Sequence, residues 1–230
     1  ESGSGNSSGS GTVTDQDGNI YDYLTYGNQG QIDRVWTLNN AEMITYRDGT
    51  PIPEVTDQTE WLNLTTGAWS YYDNDPTKTK LYNWYAVMGI HDTDPDTPNK
   101  EFAPEGWHVP SNDEWIAMNN YLIANGYNYD GTTTGDKTGK SLASTTGWTP
   151  AASNTSGLVG FEPILNNSSG FNAYPTGYRN ALPNGQTFWQ EGSYSFFWTS
   201  TVVDVDEAYS CRLFRNSPQL NTGLVTSKVS

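Results

Sequence analysis

Apolar and polar positions alternate in short runs along most of this chain. "TVTDQDGNIYDYLTYG" (residues 12–27) reads as a strand, an Asp-Gly-Asn turn and a second strand. "RVWTLNN" (34–40) predicts a buried strand, and "YRDGTPIPEVTDQTEW" (46–61) a long irregular loop with two prolines. "GAWSYYDND" (67–75) and "KLYNWYAVMGI" (80–90) read as aromatic strand or turn segments. The period changes after Pro110. Trp115, Met118 and Leu122 recur at helical spacing, with Ile116 and Ile123 beside them, and Gly126 marks the end. Ser111 is placed to cap this helix and Glu114, three residues on, completes a capping box. Asp113 and Glu114 suit the positive end of the helix dipole.

A short second helix is expected around Gly139–Ser144. Strands are expected at "GFNAYPTGYRN" (170–180), "TFWQ" (187–190), "SFFWTST" (195–201) and "AYSCRLFRN" (208–216). The pattern is α+β: one clear helix, a short second one, many short and mostly antiparallel strands, and long loops. Residues 1–11, "ESGSGNSSGSG", form a Gly/Ser-rich extension ahead of one domain over 12–230.

Composition narrows the function classes. The 230 residues carry 11 basic and 26 acidic side chains, a net charge of −15. Such a surface repels phosphate, which argues against nucleic acid and against anionic membranes. It attracts cations, so calcium stays in view. No apolar run approaches the roughly 20 residues of a membrane-crossing helix. Aromatics are abundant, with 9 Trp, 15 Tyr and 7 Phe beside many Gly, Asn, Ser and Thr, a composition that suits an extracellular β-rich protein. The start at Glu1 fits a processed product. Cys211 is the single cysteine, so there is no intrachain disulfide and no Cys-X-X-Cys pair.

Six stretches carry a resemblance: "DGNIYDYLTYGNQ", "DGTPIPEVTDQTEW", "LYNWYAV", "PEGWHVPSNDEW", "GFNAYPTGYRN" and "FWTST". In this order they resemble the Fibrobacter succinogenes major paralogous domain family of secreted bacterial proteins. The resemblance implies a C-type-lectin-like fold, related to the formylglycine-generating (sulfatase-modifying) group, and a location outside the cell or on its surface. Two departures stand out. The family usually has Cys immediately before Pro-X-Gly-Trp-His, where this chain has Ala103. It also usually ends in a strand like Gly-Phe-Ser-Val-Arg-Cys. This chain stops at "NTGLVTSKVS", so that strand is expected to be missing, or diverged within Leu224–Val229. In such a fold the chain ends pair in one sheet, and a missing strand leaves an open edge that a neighbour can fill.

The chemistry follows from these points. A formylglycine-generating activity needs a cysteine pair that is absent, and no Gly-X-Ser-X-Gly elbow is present, so no catalytic residue is expected. His91 and His108 make no zinc motif. Within "PEGWHVPSNDEW", Trp107, His108, Ser111, Glu114 and Trp115 read as scaffold. Asp92, Asp94 and Asp96 alternate along a turning loop and are the candidate calcium ligands. The Glu-Pro-Asn, Gln-Pro-Asp and Trp-Asn-Asp tripeptides of calcium-dependent sugar binding are absent.

The expected function is a non-enzymatic structural or adhesive subunit that polymerises with copies of itself by strand or tail exchange. The assembly residues would be Glu1, Ser2, Gly3, Ser4, Gly5 and Asn6 at one end and Leu224, Val225 and Val229 at the other. The alternative is a monomeric surface module that binds a glycan or protein. Its candidate ligand face is Tyr209, Arg212, Phe214, Arg215, Asn216 and Asn221, a region that relatives of the fold diversify.

Overall fold

The computed structural model of the protein describes residues 9–26, 35–182 and 186–230. The first sheet contains β1 (Ser10–Thr14), β2 (Ile20–Thr25) and β3 (Val35–Thr37), antiparallel and in that order. Its first turn is closed by Asp15, whose carboxylate accepts from the Asp17 and Asn19 amides, and Gly18 takes the left-handed backbone at φ +88°. Four short helices lie among the described residues. They are α1 (Gln58–Leu62), α2 (Trp84–Val87), α3 (Asn112–Ala124) and α4 (Gly139–Leu142). Two-stranded ribbons pair β4 (Trp69–Tyr71) with β5 (Lys80–Tyr82), and β6 (Tyr178–Arg179) with β7 (Phe188–Trp189). The last sheet has the order β10-β9-β8, from β8 (Tyr194–Val202), β9 (Glu207–Phe214) and β10 (Asn221–Ser227). The molecule is therefore mixed, with short, mostly antiparallel strands and few helices.

Helix α3 is built as its sequence directs. The Ser111 hydroxyl accepts from the Glu114 amide, and the Glu114 carboxylate accepts from the Ser111 amide and hydroxyl, so orphan N–H groups of the first turn are satisfied. Trp115, Met118 and Leu122 face inward. They join Trp36 of β3, Trp148, Phe171, Cys211 and Leu213 in the largest core cluster. Ile116 differs from the expected stripe: it is 37% exposed, because it lies one position off the Trp115–Met118–Leu122 row. A second core gathers Tyr21, Met43, Tyr46, Ile52, Trp69 and Phe102.

Several expectations are corrected. The loop over 46–61 ends in α1, capped by the Asp57 side chain, and "NWYAV" forms α2, capped by Asn83. Among the described residues the α-helices thus number four rather than two, since helices of four or five residues are set by caps and packing rather than by period. Only Tyr178–Arg179 of "GFNAYPTGYRN" is strand. At the C-terminus, of the two expected alternatives, the structure has the strand within Leu224–Val229 rather than its loss. Leu224, Val225 and Thr226 pair with Ser210, Tyr209 and Ala208 in register. Nor do the described chain ends share a sheet: β1 lies in the first and β10 in the last.

No disulfide closes the molecule among the described residues. Instead the Lys228 amide donates to Asp206, its carbonyl accepts from Trp84, and the Val229 carbonyl accepts from the Trp61 indole at 2.6 Å. Ala103 is buried, and its carbonyl is gripped by the Arg47 guanidinium. Among the described residues, no helix is long and apolar enough to cross a membrane.

Candidate functional site

A groove of about 930 Å³ lies between the first and last sheets. Its inner wall is apolar. Trp36 on β3 and Phe197 on β8 both rest on Trp115 of α3, with ring centres 4.7 and 5.0 Å away. Both also meet Phe171, at 6.3 and 5.9 Å. The two rings are thus at most about 10 Å apart, close to two strand spacings. The outer rim carries Tyr23, packed on Trp107 at 5.4 Å, and Tyr178, packed on Phe196 at 5.0 Å.

Strand register decides which main-chain groups face this groove. The Tyr194 amide donates to Gln190 and its carbonyl accepts from Gly177, so both point away from β9. Alternation turns Phe196 and Trp198 the same way. The next residue in that series, Ser200, donates to the Pro110 carbonyl. Between these ties, the Phe196 carbonyl and both main-chain groups of Trp198 have no close hydrogen-bond partner among the described residues. On the opposite side Leu38 donates to Asp22 and Trp36 pairs with Leu24. The main-chain groups of Val35 and Thr37 therefore turn outward, and they too have no partner among the described residues. Among the described residues, two strand edges without main-chain partners thus border one groove.

Charge adds a second feature. Of the described basic side chains, Arg47, Lys140, Arg179, Arg215 and Lys228 grip loop carbonyls. Lys78, Lys80, Lys100 and Lys137 are ion-paired. Arg212 lines the groove and has neither a hydrogen bond nor an ion pair among the described residues. Its guanidinium lies 5.5 Å from the Tyr194 ring.

The candidate ligand face does not form one surface. Arg212 and Phe214 share a face of β9 with Tyr194, whose ring stacks on Phe214 at 4.4 Å. Tyr209 belongs to the opposite face by alternation. Arg215 holds Thr149 and Pro150, Asn216 accepts from the Ala152 amide at 2.7 Å, and Asn221 pairs with Arg212 across the sheet.

The acidic loop is likewise not gathered. The Asp92 carboxylate accepts from the Asp94 amide and that of Asp94 from the Asp96 amide, successive turns that use the oxygens locally. Among the described residues no three His, Cys, Asp or Glu side chains converge as a metal site. Cys211 is fully buried, and burial pushes its thiol up to about 12, which makes it inert. His108 is exposed and bonds the Glu114 carboxylate at 2.8 Å. Burial favours the protonated Glu114, but the Ser111 amide, His108 and the Ser111 hydroxyl outweigh it and hold that carboxyl below its ordinary pKa.

Of the assembly residues, Glu1, Ser2, Gly3, Ser4, Gly5 and Asn6 lie outside the described residues. Leu224 and Val225 line the groove from β10, and Val225 is 52% exposed. Val229 is taken up inside the chain, packed beside Trp61. The groove residues Trp36, Tyr178, Phe196 and Trp198 were not singled out by motif. A signal existed: "FFW" puts three large apolar groups in a row, which marks a strand covered on both faces.

Among known proteins, the profile of the Fibrobacter succinogenes major domain matches residues 30–226. Neither a curated protein nor a solved structure matches the chain.

Proposed function

We propose that this chain, which belongs to the Fibrobacter succinogenes major domain family, is a non-enzymatic structural subunit that polymerises with copies of itself outside the bacterial cell. The observation that carries this reading is the pair of edges, β3 and β8, that have no main-chain partner among the described residues and lie on one apolar groove. An unpaired edge is a template for a further strand, and main-chain bonds to both sides would make a strong joint. The proposal keeps the C-type-lectin-like relationship as the frame in which a strand is exchanged. It needs no catalytic group.

A second reading is favoured by the aromatic rim. Tyr23, Trp107 and Tyr178 offer ring faces on which a sugar could stack, as in a monomeric adhesin. Electron micrographs of the purified chain separate the two. Filaments or sheets support the subunit; isolated particles that bind immobilised glycans support the adhesin and sink the polymer.

A further inference from the structure

We propose that the face of the last sheet turned away from α3 binds a sugar that bears one carboxylate, a uronate within an otherwise neutral glycan, through Arg212, Tyr178 and Tyr194. Alternation gives this sheet two faces. Phe197, Cys211 and Leu213 turn into the core beside Trp115. Tyr194 and Phe196 on β8 turn the other way, opposite their cross-strand partners Phe214 and Arg212 on β9. The Gly177 amide donates to the Tyr194 carbonyl, which sets Tyr178 beside the strand, and the Tyr178 ring meets that of Phe196 at 5.0 Å. The rings of Phe214, Tyr194 and Phe196 continue as a stack, with successive centres 4.4 and 5.6 Å apart.

Arg212 is the cation of this face. It lies 5.5 Å from the Tyr194 ring and lines the groove with Tyr178 and Phe196. Among the described residues it has no hydrogen bond or ion pair, and its Nε is enclosed without a partner. An enclosed donor left unpaired lowers stability. The other described basic side chains all hold carbonyls or carboxylates. In a chain of charge −15, a guanidinium left without an acceptor is one that can take an acceptor from outside. The Tyr178 and Tyr194 hydroxyls likewise have no hydrogen bond among the described residues. The three groups share one electrostatic neighbourhood: burial raises the Tyr178 hydroxyl, Tyr194 adds to that, and Arg212 opposes it.

The chemistry of the ligand follows from this set of groups. A planar guanidinium binds a carboxylate through two parallel N–H bonds. Phenol hydroxyls both donate and accept, which suits the hydroxyls of a sugar. The aromatic rings supply apolar surface for the C–H face of a pyranose. An acyl carboxylate would use the cation and the rings but leave both hydroxyls idle. A polyanion would meet one cation and the repulsion of the whole chain. A lone uronate among neutral sugars meets neither objection. The face belongs to a single chain, so the inference stands apart from whether copies polymerise.

The experiment titrates the full chain with methyl glucuronide and with methyl glucoside, followed by saturation-transfer NMR. The glucuronide should bind about tenfold more tightly, the factor expected of hydrogen bonds to a charged group. Arg212→Gln should abolish that preference without lowering the thermal midpoint, and Arg212→Lys, which keeps the charge but not the fork, should retain part of it. Tyr194→Phe should weaken the binding of both sugars. Equal binding of the two sugars, binding of neither, or a preference that survives Arg212→Gln would overturn the inference. So would acetate or decanoate that displaces the glucuronide at equal concentration, since the sugar ring would then contribute nothing. Light scattering on the same samples reads assembly separately. A chain that ignores both sugars and loses self-association in Arg212→Gln would show that the cation serves a second copy, and would overturn the sugar site alone.

Discussion

Arg179 shows how single residues hold this molecule. It is 1% exposed and lies 4.1 Å from the Trp61 ring. Its guanidinium donates to the carbonyls of Val55, Thr56 and Asp57 and to the Gln58 side chain. Burial lowers its pKa to about 10, so it stays charged at neutral pH. Arg179→Met would leave those acceptors unpaired in the interior. The expected loss is about 3 kcal/mol, read as a lower urea midpoint at unchanged slope. This role was not legible in the sequence, because Arg179 and its partners are more than 100 positions apart. The capping box was legible, because Ser111 and Glu114 are three apart and the chemistry is local.

The same scale sets the acid response. Burial pushes Asp15 up, but the Tyr21 hydroxyl, the Asn19 side chain and two amides outweigh it, and its pKa is lowered. Glu114 is lowered too. A carboxylate with a depressed folded pKa stabilises the fold above its unfolded pKa, and that contribution is lost as pH falls through the folded value. Thermal midpoints should therefore fall between about pH 5 and about pH 2. Glu114→Gln should be less stable at neutral pH and should lose less across that window. An equal loss in both proteins would contradict the assignment.

At the scale of elements, the long strands β8 and β9 and the helix α3 were read correctly because each carries several turns of its own period. The helices α1 and α2 were not, since four or five residues hold no period and their Asp57 and Asn83 caps resemble ordinary turn residues. The acidic loop is a different case. Alternating Asp92, Asp94 and Asp96 suggested one cation site, yet each of the first two carboxylates closes its own turn. Calcium is accordingly expected to leave the thermal midpoint unchanged, and chelator likewise. A rise with calcium would show that the loop rearranges around the ion.

At the scale of the whole molecule, the sequence suggested an open edge but misplaced it. The C-terminal strand is present, and the edges without a main-chain partner among the described residues lie between sheets, on β3 and β8. No local pattern reveals this, because β3 and β8 are about 160 positions apart and each reads as an ordinary strand. The cationic staples explain how a chain of charge −15 keeps its long loops ordered without a disulfide: half of the described basic residues bind main-chain carbonyls, Arg47 among them while also pairing with Glu101. They leave Arg212, which lines the groove, without a hydrogen bond or ion pair among the described residues.

The central claim is that one copy completes the sheet of the next. Light scattering over a dilution series tests it most directly, with the full chain compared to one lacking residues 1–8. The account predicts polymers that grow with concentration for the full chain and monomer for the shortened one. Monomer at every concentration for both, or identical polymers for both, would contradict it.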